Sequence, residues 1–255
     1  MRNIINWFKH KKQVDQPTPK DLEEARMVLE SAAKPAVLGE IGGVRPEQGI
    51  APQSCWGGRF LGKEGEGAPI DSKSGNEMQP VLQIVVHSLP MIPEHLEGVA
   101  LINLWMDLKG HDFWEGTNGS GFIIREYSAL DGLVPIDVAT PSLLPEFPLF
   151  WTAPVMQTPS WEDFSLQVPD SVAASSNDDW FFNASLAEEF EKLQEKHPIK
   201  LGGWPTWIQG AADFEENSFV FQVDSTDKGQ FQIGDAGSVY FFKTRAGWIA
   251  TTDCY

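Results

Sequence analysis

Apolar and polar positions along the chain fall into two kinds of pattern. Six stretches, 81–87, 99–106, 122–127, 218–223, 238–243 and 247–252, are rich in Val, Ile, Phe, Tyr or Trp and bounded by Gly, Pro, Asp or Ser, which predicts strands. Two stretches have helical spacing. In the first, Thr18 is the N-cap, Pro19 stands at N1 and Asp21 in the first turn; Leu22, Ala25, Val28, Leu29 and Ala32 then recur until Pro35. The second begins near Ser185, which with Glu188 fits a capping box, and buries Leu186, Phe190 and Leu193 before Pro198 ends it. Its acids form a solvated face. Between 128 and 183, Pro135, Pro141, Pro145, Pro148, Pro154, Pro159 and Pro169 break every period, yet Phe147, Phe150, Trp151, Trp161 and Phe164 lie among them. That segment reads as an irregular but packed connection, with a short helix from Ser160.

A degenerate repeat runs through the strand pattern. Trp56-Gly57-Gly58, then Gln83 in an apolar strand, then Gly98 before 99–106, find counterparts in Gly202-Gly203-Trp204, Gln222 and Gly237. Gln83 to Gly98 and Gln222 to Gly237 both span 15 residues, an offset of 139 between copies; the glycine pairs are offset by 145, a loop difference that closure entropy tolerates. Paired glycines permit backbone that a Cβ would forbid. A glutamine in an apolar strand must satisfy its amide, first of all against backbone, and otherwise at a ligand cleft.

Residues 200–209 (KLGGWPTWIQ), Val220-Phe221-Gln222-Val223-Asp224 and 233–242 (IGDAGSVYFF) resemble the C-terminal signature of the YwqG-like bacterial proteins, a family of unknown function. Residues 55–60, 80–85 and 98–106 are similar to its N-terminal counterpart, with Arg59-Phe60 and Leu82 departing from the pattern. The resemblance covers about residues 50–255. It implies an α+β fold, mainly antiparallel β with an internal duplication (two related β units) and a few peripheral helices. It supplies no catalytic residues. Because some members are regarded as immunity proteins against toxins, it also implies that role. The domain organisation expected is a basic segment 1–15 followed by one domain, 16–255, whose halves, about 50–127 and 198–255, are joined by the Pro-rich connection.

Charge narrows the partners. The 255 residues carry 19 Lys+Arg against 36 Asp+Glu, a net charge of −17. Residues 1–12 hold Arg2, Lys9, Lys11 and Lys12 and no acid, so the rest carries 15 bases against 36 acids, a balance of −21. Nucleic acid and anionic membrane are disfavoured because both repel such a surface; a basic protein is favoured. The first dozen residues lack a secretory h-region, and their Ile4, Ile5, Trp7 and Phe8 leave a peripheral membrane contact open beside the plainer reading of a frayed terminus. With no 18-residue apolar run and only Cys55 and Cys254, a cytoplasmic location is expected.

The search for chemistry yields few candidates. The histidines His10, His87, His95, His111 and His197 form no metal-binding motif, so no metal and no cofactor is expected. Asn118-Gly119-Ser120-Gly121 lacks the first glycine of a nucleophile elbow and reads as a hairpin turn. Residues 62–67 are Gly-rich, but Glu64 and Glu66 repel phosphate. Asp178-Asp179 and Asp213, Glu215, Glu216 are acidic clusters with no spacing rule. No catalytic residue is assigned. The candidate ligand set is Gln83, His87 (placed on the Gln83 face by parity), Gln222, Asp235, Trp204 and Trp207. Two functions follow: a non-enzymatic protein-binding module, such as an acidic immunity protein neutralising a basic toxin, and a small-molecule binder or enzyme using a cleft between the repeats.

Overall fold

The computed structural model describes residues 18–43, 52–109, 115–160, 163, 197–210 and 218–255. The chain divides into two compact units, Met1–Ala33 with Gln157–Glu195, and Lys34–Met156 with Lys196–Tyr255. The first contains α1 (Pro19–Ser31). Thr18 caps it as the sequence predicts: its hydroxyl accepts the Asp21 N–H, and the Asp21 carboxylate accepts the Thr18 N–H at 2.8 Å. Among its described side chains Ala25 and Leu29, four residues apart, are buried. The helix ends at Ser31, and Pro35 lies inside the following strand.

The second unit is built of one large sheet and a separate two-stranded one. Its strands are β1 (Lys34–Ile41), β2 (Cys55–Trp56), β3 (Leu61–Gly62), β4 (Gln79–Val85), β5 (Leu101–Met106), β6 (Glu115–Thr117), β7 (Phe122–Tyr127), β8 (Val134–Pro135), β9 (Phe147–Trp151), β10 (Val155–Gln157), β11 (Ile199–Gly202), β12 (Phe219–Asp224), β13 (Ser238–Thr244) and β14 (Gly247–Asp253). The two-stranded sheet pairs β3 with β8, and the main path of the large one runs β6-β14-β13-β12-β11-β1-β9-β2-β4-β5-β7, antiparallel at every step. Its two ends, β6 and β7, are neighbours in the chain, so the sheet curls into a nearly closed barrel. The 118–121 segment is the turn that joins them. There Asn118 stands in for a strand residue: its Oδ1 accepts the Ile124 N–H at 2.6 Å and its Nδ2 donates to the Ile124 carbonyl.

Alternation along the strands sorts side chains to two faces. Inward rows hold Trp56, Ile84, Leu104, Phe122, Phe221, Phe241 and Trp248 in one core. Phe122 and Phe241 meet edge-on at 5.4 Å and Phe221 stacks on Phe241 at 4.5 Å, so the two ends of the sheet interlock across the gap. At one rim Glu126 pairs with Lys243 at 2.7 Å and accepts from the Trp248 indole at 2.7 Å, fastening β7 to β13 and β14 by side chains where backbone pairing stops.

The α+β expectation is corrected by this architecture. Strand makes up 40% of the structure and helix 10%, a mostly antiparallel β fold, and α1 is the one α-helix of any length among the described residues. Within the Pro-rich stretch the described residues include β8, β9 and β10; residues 161–162 and 164–183, with most of the helix expected from Ser160, lie outside the described residues. The strand expected over 81–87 ends at Val85, and His87 sits in a 3-10 turn (Val86–Ser88). The 1–15 segment, the helix from Ser185, Asp178-Asp179, His111 and Asp213, Glu215 and Glu216 lie outside the described residues.

Candidate functional site

Both glycine pairs have left-handed backbone, with φ of +57° and +79° at Gly57 and Gly58 and +68° at both Gly202 and Gly203. A Cβ on Gly57 would stand 2.6 Å from the Pro145 carbonyl oxygen, and one on Gly202 2.9 Å from that of Pro35. Each turn sends the chain back over the outer face of its own strands. There the glutamines wait. Gln83 lies opposite Asn103, and Gln222 opposite Tyr240.

These cross-strand pairs act as two clasps. Gln83 Oε1 accepts the Leu61 N–H at 2.8 Å, and Asn103 Nδ2 donates to the Leu61 carbonyl at 2.6 Å. Gln222 Oε1 accepts the Thr206 N–H at 2.9 Å, and the Tyr240 hydroxyl reaches the Thr206 carbonyl at 2.7 Å. Leu61 and Thr206 each stand four residues past the first glycine of their pair. In the first half Leu61 therefore has both its backbone polar groups bonded to side chains of adjacent strands; in the second the single Tyr240 O–H is shared between the Thr206 carbonyl and Asp253 Oδ1. The remaining amide protons go to the Gln53 carbonyl (3.0 Å) from Gln83 and to Asp224 Oδ1 (2.9 Å) from Gln222.

Around the second clasp lies a polar set of which the sequence singled out Gln222 alone. Lys200, Thr206, Gln222, Asp224, Ser238, Tyr240 and Asp253 are all buried on the outer face or its cover. Lys200 Nζ donates to the Thr206 hydroxyl and the Trp204 carbonyl. Asp253 Oδ2 accepts the N–H groups of Ile208 (2.9 Å) and Gln209 (3.2 Å), and its Oδ1 lies 2.7 Å from the Tyr240 hydroxyl. Burial, followed by the Asp253 charge, pushes the Tyr240 phenol far above its ordinary pKa. In the first half the register-equivalent positions of Asp224, Ser238 and Asp253 hold Val85, Leu101 and Tyr127, an apolar cluster. Of this set the sequence singled out only Gln222; Lys200, Asp224 and Asp253 stand at or next to strand ends, where periodicity gives no signal.

The six candidate ligand residues do not converge. Gln83 and Gln222 are buried and tied to backbone, whereas His87 and Asp235 are exposed. Trp204 is half-buried with the Lys34 ammonium 3.7 Å above its ring. Trp207 is buried against Tyr240, centroids 4.6 Å apart, and Phe242. The two tryptophans thus do not form an open platform. Nor are the two strand-leading glycines alike: Gly98 has φ +76° and stands three residues before β5, whereas Gly237 directly precedes β13 without positive φ. Among the described residues no group of three or more His, Cys, Asp or Glu could hold a metal ion, and no helix is long and apolar enough to cross a membrane. The Cys55 thiol is buried, and burial, with the Glu146 charge adding to it, raises its pKa and keeps it protonated.

A nearly closed antiparallel barrel whose outer-face amides clamp its own covering segments defines a mostly β module. Residues 55–246 match the family model described as Domain of unknown function (DUF1963), and the chain belongs to that family. A comparison with curated proteins finds no match.

Proposed function

We propose that the protein is a non-enzymatic protein-binding module that engages a basic partner, as an immunity protein engages a toxin, that it acts in the cytoplasm, and that within its family it is YwqG-like. The observation that supports the reading is where charge resides. The chain has a net charge of −17, and Glu23, Glu30, Glu64, Glu94 and Glu97 are exposed, while the polar side chains of the clasps are consumed by the protein's own backbone. Opposite charge accelerates encounter with a cationic protein and makes binding sensitive to salt. A cleft built on Gln83, His87, Gln222 and Asp235 finds no comparable support, since the two amides already have partners.

Co-expression with, and pull-down of, the product of the neighbouring gene tests the proposal. Rescue of a poisoned host, with binding that weakens as ionic strength rises, is the expected result. Binding indifferent to salt, or a host that stays poisoned, would refute it.

A further inference from the structure

The cross-strand register contains a symmetry that the strand order only suggests. Gln83 lies between Cys55 and Asn103 as Gln222 lies between Lys200 and Tyr240, and Asn103 faces Arg125 as Tyr240 faces Thr251. On the other side Cys55 faces Pro148 as Lys200 faces Leu38. The strands so reached, β9 and β1, then pair with each other through Gly39–Trp151, Glu40–Phe150 and Ile41–Leu149. One step along each strand makes Gly39 equivalent to Leu149, and three steps make Ile41 equivalent to Trp151. The Gly39–Trp151 pair therefore maps onto Leu149–Ile41, and Glu40–Phe150 maps onto itself. A single twofold axis through Glu40 and Phe150 relates all of these pairings.

In chain order the equivalent sets are β1 with β2, β4, β5 and β7, and β9 with β11, β12, β13 and β14. Neither leading strand pairs with its own set: β1 bonds to β11, β9 and β10, and β9 to β2 and β1. The connections cross in the same sense. The Trp56 indole donates to the Gly229 carbonyl in the β12–β13 connection at 3.0 Å, and Lys243 of β13 donates to the His95 carbonyl in the β4–β5 connection at 3.1 Å.

We propose that the barrel is a fused pair of strand-exchanging repeats, 34–127 and 147–253, and that β1 can be given to a second copy of the chain, completing that copy's barrel as it completes its own. An incoming β1 meets the same edges, β11 and β9 with β10 beside them, in the same register, so the exchanged dimer repeats the strand pairing of the monomer. Concentration then decides which closure forms during folding.

The test is a Glu40→Cys/Phe150→Cys/Cys254→Ser variant, refolded from denaturant at low-micromolar and at near-millimolar concentration and then oxidised. Directly opposed residues have Cα atoms about 4.5–5.5 Å apart, within disulfide reach. The dilute sample is expected to give a disulfide within one chain. The concentrated sample is expected to raise the share of disulfide-linked dimer by about tenfold or more, with unchanged far-UV circular dichroism. Same-chain disulfide alone at both concentrations, no disulfide at either, or a dimer without native β signal overturns the proposal. Wild-type protein refolded in parallel and sized by light scattering keeps the test decisive if the variant does not fold: a native-like dimer from the concentrated sample supports the exchange, and monomer alone at both concentrations refutes it.

Discussion

The first-half clasp yields a quantitative expectation. Gln83→Met keeps the length of the side chain but removes two bonds, from the Leu61 N–H at 2.8 Å and to the Gln53 carbonyl at 3.0 Å. Gln83 is only 3% exposed, so both backbone groups lose partners where water has little access. A buried group left unpaired costs about 1–3 kcal/mol, and the extra apolar burial of methionine offsets part of that, for a net loss of about 2–4 kcal/mol. At about 2–4 °C per kcal/mol for a domain of this size, Tm should fall by roughly 4–16 °C. Asn103→Leu removes the bond to the Leu61 carbonyl and should cost about 1–3 kcal/mol. The two losses should not add. Once either half of the clasp is gone, the segment around Leu61 can lift and let water reach the remaining group, so the second change costs less. A double-mutant cycle by urea unfolding should show a coupling of about 1 kcal/mol or more. Additivity within about 0.5 kcal/mol would refute the idea that the pair holds one residue jointly.

Two further outcomes concern titrating groups. Asp71 is buried, which raises its pKa, but the amide hydrogens of Ser74, Gly121 and Lys73 and the Ser74 hydroxyl outweigh that and hold it below the usual carboxylate range. Its stabilisation is therefore present above the unfolded-state pKa and lost as pH falls through the folded one; Asp71→Asn should cost about 1–3 kcal/mol at neutral pH and flatten the acid limb of stability against pH, as chemical unfolding across pH would report. Tyr127 is pushed up to about 12 by burial and by its bond to Glu66, and Tyr240 is raised further, so an ultraviolet titration of the folded protein near pH 11 should ionise at most one of its three tyrosines. Because both phenols are raised, the stability they give is intact below their unfolded pKa near 10 and lost as pH climbs through the folded values; two phenols ionising before unfolding would contradict the burial described.

Much of the periphery was written locally. Thr18, Pro19 and Asp21 specify the start of α1 through contacts within one turn, and β5, β7, β12, β13 and β14 stand out because β-branched and aromatic residues between turn signals need no distant partner to be recognised. The glycine pairs and the two glutamines were visible as a repeated pattern, and their side-chain chemistry already demanded that the amides be satisfied. What the sequence did not reveal is concentrated at the centre of the sheet. In β1, Pro35 and Gly39 spoil the strand pattern, and β9 carries Pro148, so both read as breaks. They are strands because each is bonded along both edges, β1 by β11, β9 and β10, β9 by β1 and β2, and all those partners lie far away in the chain. The partner side chains of the clasps were hidden for the same reason: Asn103 and Tyr240 meet the glutamines only through cross-strand register. Local composition determined which segments favour extended backbone and which amides needed partners; only tertiary structure decided the partners, because pairing free energy depends on groups that sequence spacing does not bring together.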